Sequence, residues 1–448
     1  MLAKRRSRIV YIKSIANSAA RFLMVLLAGI LVCPGLSARS SADSVIVSKI
    51  VIVGNETTKD HVILREMILK VGMPLDTLAL EHDKKQIYSL QLFNKVDIDY
   101  TVEGRDATVF VQVSERWYIF PIPIVGFKYR DFSKMFYGVS LLHQNFRGRN
   151  EKIMASAVFG YDGWFDLAYQ NPKLTDDDDI FLRSEVGYHH VRNQNTSQGE
   201  YDQKVSTGSL MVGKRQGLYL TVLGFARFDM WDVSDPLQGR TVSLSGIDRF
   251  VTIGSTVQYD RRDIREYATA GKYGVISVSK YGLGESDVNL FRYGIDLRDY
   301  EPLGADVSLC GRVFGSFLSG GVSPTYLHAY FGYFDRIRGY YSTVLEGEDI
   351  LGGSLELRVP ILKPRYTTVS IRYLPPEFSV WRYGLYAGVF ADGGTTWFRT
   401  NQVFRNPWYA GYGAGLHFLL PYSLVVRTEY ALNQHGRSQF VLGIGASF

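Results

Sequence analysis

Residues Gly352 to Ile361 read GGSLELRVPI, and the alternation inside them decides the fold. Leu355, Leu357 and Val359 fall on one side of an extended chain, while Ser354, Glu356 and Arg358 fall on the other, because strand side chains point alternately to two faces. The same division recurs outward in both directions. Leu182, Val186 and Tyr188 oppose Arg183, Glu185 and His189; Tyr293, Ile295 and Leu297 oppose Arg292, Asp296 and Arg298; Leu424, Val426 and Tyr430 oppose Arg427 and Glu429. A soluble sandwich with a polar outer face would share this pattern. A closed barrel explains it differently: the charged face lines a wet lumen, and closure satisfies the backbone groups that lipid cannot.

The C-terminus favours the barrel. Phe440, Leu442, Ile444, Ala446 and Phe448 continue one apolar face against Gln439, Gly443 and Gly445. A chain that finishes on such an aromatic resembles the β-signal of bacterial outer-membrane proteins. From about position 119 to the end, alternating segments bounded by turn clusters number about sixteen, as expected of antiparallel membrane-crossing strands. An even count puts both barrel ends on the periplasmic side. The connections 191–202, 230–247, 318–349 and 393–407 then lie outside the cell, and two long turns, 261–270 and 362–382, lie in the periplasm.

Composition agrees. Aromatics make up 14% of the chain, with 30 tyrosines, 26 phenylalanines and 44 glycines, which suits twisted strands with aromatic girdles. Beyond the first forty positions no apolar run approaches the roughly 18 residues of a helical span, so a helical membrane protein is excluded. The net charge of +6 comes from interspersed acids and bases, without the basic stripe that nucleic acid requires.

Residues 1–42 read as an export signal: Lys4, Arg5, Arg6, Arg8, Lys13 and Arg21 precede the apolar run from Phe22 to Val32, and cleavage fits after Ala38 or Ala42. Of the two cysteines, Cys33 lies in that segment and Cys310 beyond it, so no disulfide is expected in the mature chain. Val32 stands where a lipid-attachment signal would carry Gly or Ala, which disfavours a lipoprotein reading of Cys33.

A small α+β domain is predicted over 44–115. Val45 to Val53 alternates toward Gly54-Asn55, Thr57 or Thr58 can cap a helix through Val62, Ile63, Met67 and Ile68, and Leu78, Leu80, Ile87, Leu90 and Leu92 recur at helical spacing. Val96, Ile98 and Tyr100, then Val109, Val111 and Val113, alternate as closing strands, giving the order β-α-α-β-β. Gly54, Asn55 and Thr57 together with LFNKVDIDY (Leu92 to Tyr100) resemble a POTRA domain, the periplasmic module of outer-membrane assembly and secretion proteins.

Over 116–448 the words LLHQNFRGRNE (Leu141 to Glu151, with Asn145, Phe146 and Gly148), VQYDRRD (Val257 to Asp263, with Asp260, Arg262 and Asp263), RIRGY (Arg336 to Tyr340), GGSLELRVPI and VFADGG (Val389 to Gly394) resemble, in order, the barrel motifs of the BamA, TamA and two-partner-secretion transporter superfamily. Arg338, Gly339 and Tyr340 match the core of that family's most specific word, with Ile337 replacing the usual Val. The resemblance implies that a long extracellular loop folds back into the lumen, where Arg338 meets an acid on the barrel wall. Asp392 matches the family's acidic position and falls on the lumen face by alternation, as does Glu356, the second candidate. The family usually carries more than one POTRA module, and this sequence offers about 75 residues for one before the first strand, about enough for a single small domain.

The resemblance implies an outer-membrane assembly factor whose POTRA domain receives client strands and whose barrel seam, beside the first strand near 119–129 and the glycine-bearing last strand (Gly443, Gly445), templates insertion. The implied partners are client outer-membrane or secreted polypeptides, the lipid bilayer, and periplasmic chaperones or accessory lipoproteins. The alternatives are a two-partner-type secretion transporter and a passive porin or surface antigen. No P-loop, catalytic triad or metal cluster is visible, so neither an enzyme nor a cofactor is expected. The neighbours His189 and His190 point to opposite faces and cannot share a metal, and Asp176 to Asp179 reads as a solvated turn, with calcium binding the lesser alternative.

Overall fold

The computed structural model describes residues 45–128, 131–175, 179–194, 198–284, 286–369, 372, 375–400, 406–446 and 448. The expected signal segment, Cys33 and Asp176 to Asp178 lie outside these residues.

The N-terminal domain has the expected order: β1 (Ile46–Val53), α1 (Asp60–Leu64), α2 (Thr77–Tyr88), β2 (Phe93–Glu103) and β3 (Asp106–Glu115). The sheet order is β1-β3-β2, with β1 parallel and β2 antiparallel to β3. Val47, Ile63, Met67, Ile87, Leu92, Phe93, Val109 and Val111 form its core. Two details depart from the sequence reading. α1 is only five residues long, and its N-cap position falls on Lys59, which makes no side-chain cap; the Thr58 hydroxyl lies one position earlier, 3.0 Å from the Tyr118 hydroxyl, and accepts from Asn145. α2 is capped by Asp76, which accepts from the Leu78 amide at 2.9 Å, and Leu78 itself is 79% exposed rather than in the core.

The rest of the chain is a 16-stranded sheet. Its strands are β4 (Ile119–Phe127), β5 (Met135–Phe146), β6 (Glu151–Gly160), β7 (Gly163–Asn171), β8 (Ile180–Arg192), β9 (Asp202–Gln216), β10 (Leu220–Val233), β11 (Ile247–Asp260), β12 (Gly271–Tyr281), β13 (Leu290–Gly304) and β14 (Val307–Gly320). After a small hairpin of β15 (Ala329–Phe331) and β16 (Leu345–Gly347), they resume as β17 (Asp349–Thr368), β18 (Val380–Trp397), β19 (Tyr409–Leu420), β20 (Leu424–Asn433) and β21 (Ser438–Ile444). Neighbours in sequence are neighbours in the sheet, and every pairing is antiparallel. The alternation holds: Leu355 and Val389 are exposed on the outer face, whereas Glu356, Arg358, Asp392 and Glu429 are buried inside. The 362–382 turn is shorter than expected at both ends, since β17 runs on to Thr368 and β18 begins at Val380.

The last strand ends earlier than its apolar alternation suggests. Phe440, Leu442 and Ile444 face outward as expected, but Phe448 is only 8% exposed. At Gly445, φ is +94°, a left-handed conformation that glycine adopts without penalty, and it takes the chain off the β21 line. Phe448 then packs inside with Ala268, Tyr300 and Cys310, and its terminal oxygen accepts from the Tyr300 hydroxyl at 3.1 Å.

The two ends of the sheet order are β4 and β21. Phe120 on β4 packs edge-on against Tyr422, just before β20, at 5.7 Å, so the sheet curls round to bring its ends together. The ladder from β4 to β5 runs unbroken across Pro121 and Pro123. A proline cannot donate to a ladder, so both ring nitrogens must face away from β5, toward the seam. The seam-facing edge of β4 therefore lacks two donors, and its counterpart β21 is only seven residues long.

Candidate lumen lock and domain anchor

The connection between β14 and β17 folds back into the barrel. Ile337 and Tyr340 are buried with Phe314, Phe331 and Ile350, which sets Arg338 between them against the wall. Its Nε and Nη2 donate to the two oxygens of Asp392 at 2.7 Å each, a bidentate fork, and its backbone amide donates to the same carboxylate at 3.0 Å. Nη1 donates to Glu356 at 2.5 Å and to Glu429 at 3.1 Å. The guanidinium lies 3.6 Å from the ring centroid of Phe390. Such planar, forked pairing is what arginine provides and lysine does not.

Backbone space is built for this approach. Gly339 has φ +95°, and a Cβ there would meet the Leu432 carbonyl oxygen at 2.8 Å; a Cβ on Gly411 would meet the Arg338 carbonyl oxygen at 1.7 Å. Tyr340 packs edge-on against Tyr409 at 5.2 Å. Asp392 and Glu356, the two acids expected from alternation, are thus both on Arg338. Sequence reasoning missed the third acid, Glu429, although its place on the charged face of β20 was the available signal.

Two further arginines balance the group. Arg358 donates to Glu356 at 2.8 Å and Arg427 to Glu429 at 2.8 Å, so three guanidinium groups meet three carboxylates away from water. Among the described residues, Glu356, His417 and Glu429 bring donor atoms within 4.8 Å of one another. The carboxylate oxygens of that group already accept from Arg338, Arg358 and Arg427, and the chemistry is that of an ion-pair cluster rather than of a metal centre.

The remaining motif residues hold the N-terminal domain or shape turns beside it. Asn145 donates to Thr58 at 2.9 Å and accepts from the Asn150 amide at 2.7 Å. Gly148, at φ +72°, accepts from the Lys59 amide at 2.9 Å, and any Cβ there would strike the Thr57 carbonyl oxygen at 2.1 Å. Phe146 lies under the Arg147 guanidinium, 5.3 Å from its centroid. Arg262 forks onto Asp260 at 2.9 Å on both arms, and Asp263 accepts from the Thr269 and Ala270 amides at 3.0 and 3.2 Å.

A second fork anchors the domain. Arg215, at the end of β9, donates to both oxygens of Glu66 at 2.7 Å. Burial pushes the Glu66 carboxyl upward, but the hydrogen bonds and charge of Arg215 outweigh it and hold the pKa below that of a free glutamate. Arg116 reaches Ser423 at 3.0 Å and Gln86 the Arg262 carbonyl at 3.1 Å. The domain therefore touches the turns after β5, β9, β11 and β19, which places it across one mouth of the barrel. His189 bonds Asp166 at 2.7 Å and His190 lies 3.7 Å from Asp202, on opposite faces as expected.

Residues 145–448 match the family described as the Omp85 superfamily domain, and residues 45–116 match the POTRA family, described as a surface antigen variable number repeat. Among curated proteins the chain is similar to the outer membrane protein assembly factor BamA of Nitratidesulfovibrio vulgaris, at 22% identity over 326 residues. That match takes in 68% of this chain and 39% of the relative, so the chain spans well under half of the relative's length. Among solved structures it resembles BamA from Haemophilus ducreyi lacking POTRA domains 1-3, with a TM-score of 0.55 and 16% identity over 90% of this chain and 84% of that one. It also resembles CdiB from Escherichia coli, with a TM-score of 0.52 and 11% identity over 93% and 92%. At such identities the likeness is one of fold.

Proposed function

The chain belongs to the Omp85 superfamily, and from that premise we propose that it assembles outer-membrane β-barrels, receiving client strands at a periplasmic POTRA domain and passing them into lipid through the seam between β4 and β21. The observation that carries this reading is the seam itself. Pro121 and Pro123 remove donors from one edge, β21 is short, and the chain leaves the strand conformation at Gly445. A seam with few main-chain bonds opens at low cost, since each intramolecular hydrogen bond contributes only about 0.5–1.5 kcal/mol net.

The domain supports the first step. β2 is an edge strand of its sheet, and an edge offers unpaired backbone groups to an added strand with little demand on side chains. The protein does no covalent chemistry on this reading; the client's own folding drives the process, and the Arg338 loop keeps the barrel wall in register between openings.

A second reading is a secretion transporter, favoured by the loop that fills the lumen as a removable plug. A passive porin fits less well, because the lumen is occupied by the chain itself. The separating experiment mixes a small urea-unfolded outer-membrane barrel with liposomes that carry the protein. Faster folding than into protein-free liposomes supports assembly; no acceleration together with measurable ion conductance in planar bilayers supports secretion.

A further inference from the structure

The turn between β11 and β12, residues 261–270, has one end in the N-terminal domain and the other in the barrel lumen. Ile264 packs against the hydrophobic core of the domain. Beside it, Gln86 donates to the Arg262 carbonyl at 3.1 Å, and the Ser89 hydroxyl bridges the Asp263 carbonyl and the Arg265 amide at 3.4 Å each. Asp263 closes the turn on Thr269 and Ala270, so the segment behaves as one piece.

Only three residues past Ile264, the tip is buried under the last strands. Glu266 accepts from Arg382 at 2.8 Å, and the Tyr267 hydroxyl lies 2.8 Å from Nδ1 of His417. The Arg358 guanidinium sits 4.4 Å from the centroid of the Tyr267 ring and donates to the Ala268 carbonyl at 2.6 Å. Ala268 also packs against the inturned Phe448. Arg358 is fully buried and its Nε holds Glu356, the acid that faces Arg338. Two of the donors of Arg358 are thus aimed by neighbours on opposite sides, one being the turn and the other the acid of the lock.

We propose that turn 261–270 is a coupling plug: the POTRA domain holds its stem through Ile264, and its tip, through Tyr267 and Ala268, positions Arg358 and Glu356 so that the Arg338 loop stays seated. Displacement of the domain by a client draws the tip out, frees Arg358 from Ala268, and loosens Arg338 through Glu356, the carboxylate both arginines share. The device serves assembly and secretion alike and does not depend on the identity of the client. Coupling of this kind is read by perturbing one end and measuring the other.

The test places a cysteine at Ile337, buried beside Arg338, and follows its modification by a bulky maleimide in the full chain in detergent. Ile264→Asp should speed labelling severalfold, as should Tyr267→Ala, which removes the tip directly. Leu78→Ala, on the exposed face of the same domain, should leave the rate near that of the parent. If Ile264→Asp fails to give a folded, heat-modifiable barrel, Ile264→Ala is read the same way. Unchanged labelling in either the Ile264 or the Tyr267 variant, or equal acceleration by Leu78→Ala, overturns the proposal.

Discussion

Arg338 and Asp392 meet through two parallel hydrogen bonds of 2.7 Å, on a loop and a strand 54 positions apart. The pair is closed off from water and shares its charge with Glu356 and Glu429. Removing one partner of such a buried pair costs about 3–5 kcal/mol, because the other charge is left uncompensated. Arg338→Ala should lower the unfolding midpoint in detergent accordingly and raise ion conductance in planar bilayers. Arg338→Lys should recover only part of either effect, since an ammonium cannot make the fork.

Gly339→Ala tests the loop's seat without changing charge. The left-handed backbone and the contact of 2.8 Å with the Leu432 carbonyl oxygen both oppose a side chain, and strain of this kind costs about 1–3 kcal/mol. Limited proteolysis should cut the 321–348 segment faster in the variant than in the parent.

The Glu66–Arg215 fork gives a pH dependence with a definite sign. Glu66 has a folded pKa below the 4.5 of a free glutamate, so the stabilisation it contributes is complete above that value and is lost as pH falls through the lower, folded value. Domain anchoring should hold at neutral pH and weaken below about 4.5. Hydrogen exchange over residues 60–69, corrected for its intrinsic pH dependence, should show this loss in the parent and not in Glu66→Gln.

These relationships differ in how far the sequence announced them. Asp392 and Glu356 were legible because strand alternation carries a residue's face from one end of a segment to the other. Phe448 was misplaced by the same rule: alternation cannot see that Gly445 leaves the strand conformation. The Thr58 cap failed because α1 begins at Asp60 and puts Lys59 at the cap position, leaving the Thr58 hydroxyl to a distant partner, Asn145. The roles of Glu66, Tyr267 and Ile264 rest on contacts with residues far along the chain, such as Arg215 for Glu66 and Arg358 for Tyr267, which no local periodicity encodes.

Phe448 itself gives a contrast with its strand. Burying such a side chain is worth about 1.5–3 kcal/mol, so Phe448→Ala should lower the unfolding midpoint in detergent, whereas Phe440→Ala, whose side chain is 70% exposed, should change it little.

Pro121→Val with Pro123→Val returns two N–H donors to the seam edge of β4. If they pair, the barrel gains about 0.5–1.5 kcal/mol for each, and client folding into liposomes should slow as unfolding becomes harder. A more stable barrel with undiminished client folding would separate the prolines from function.

The most direct measurement cross-links the seam. A cysteine scanned along Ile119–Phe127 is paired with one in Ser438–Ile444, and the rate at which a small client barrel folds into liposomes is read before and after reduction of the disulfide. The account predicts that oxidation abolishes the acceleration and that reduction restores it. Acceleration that persists with the seam covalently shut would contradict it.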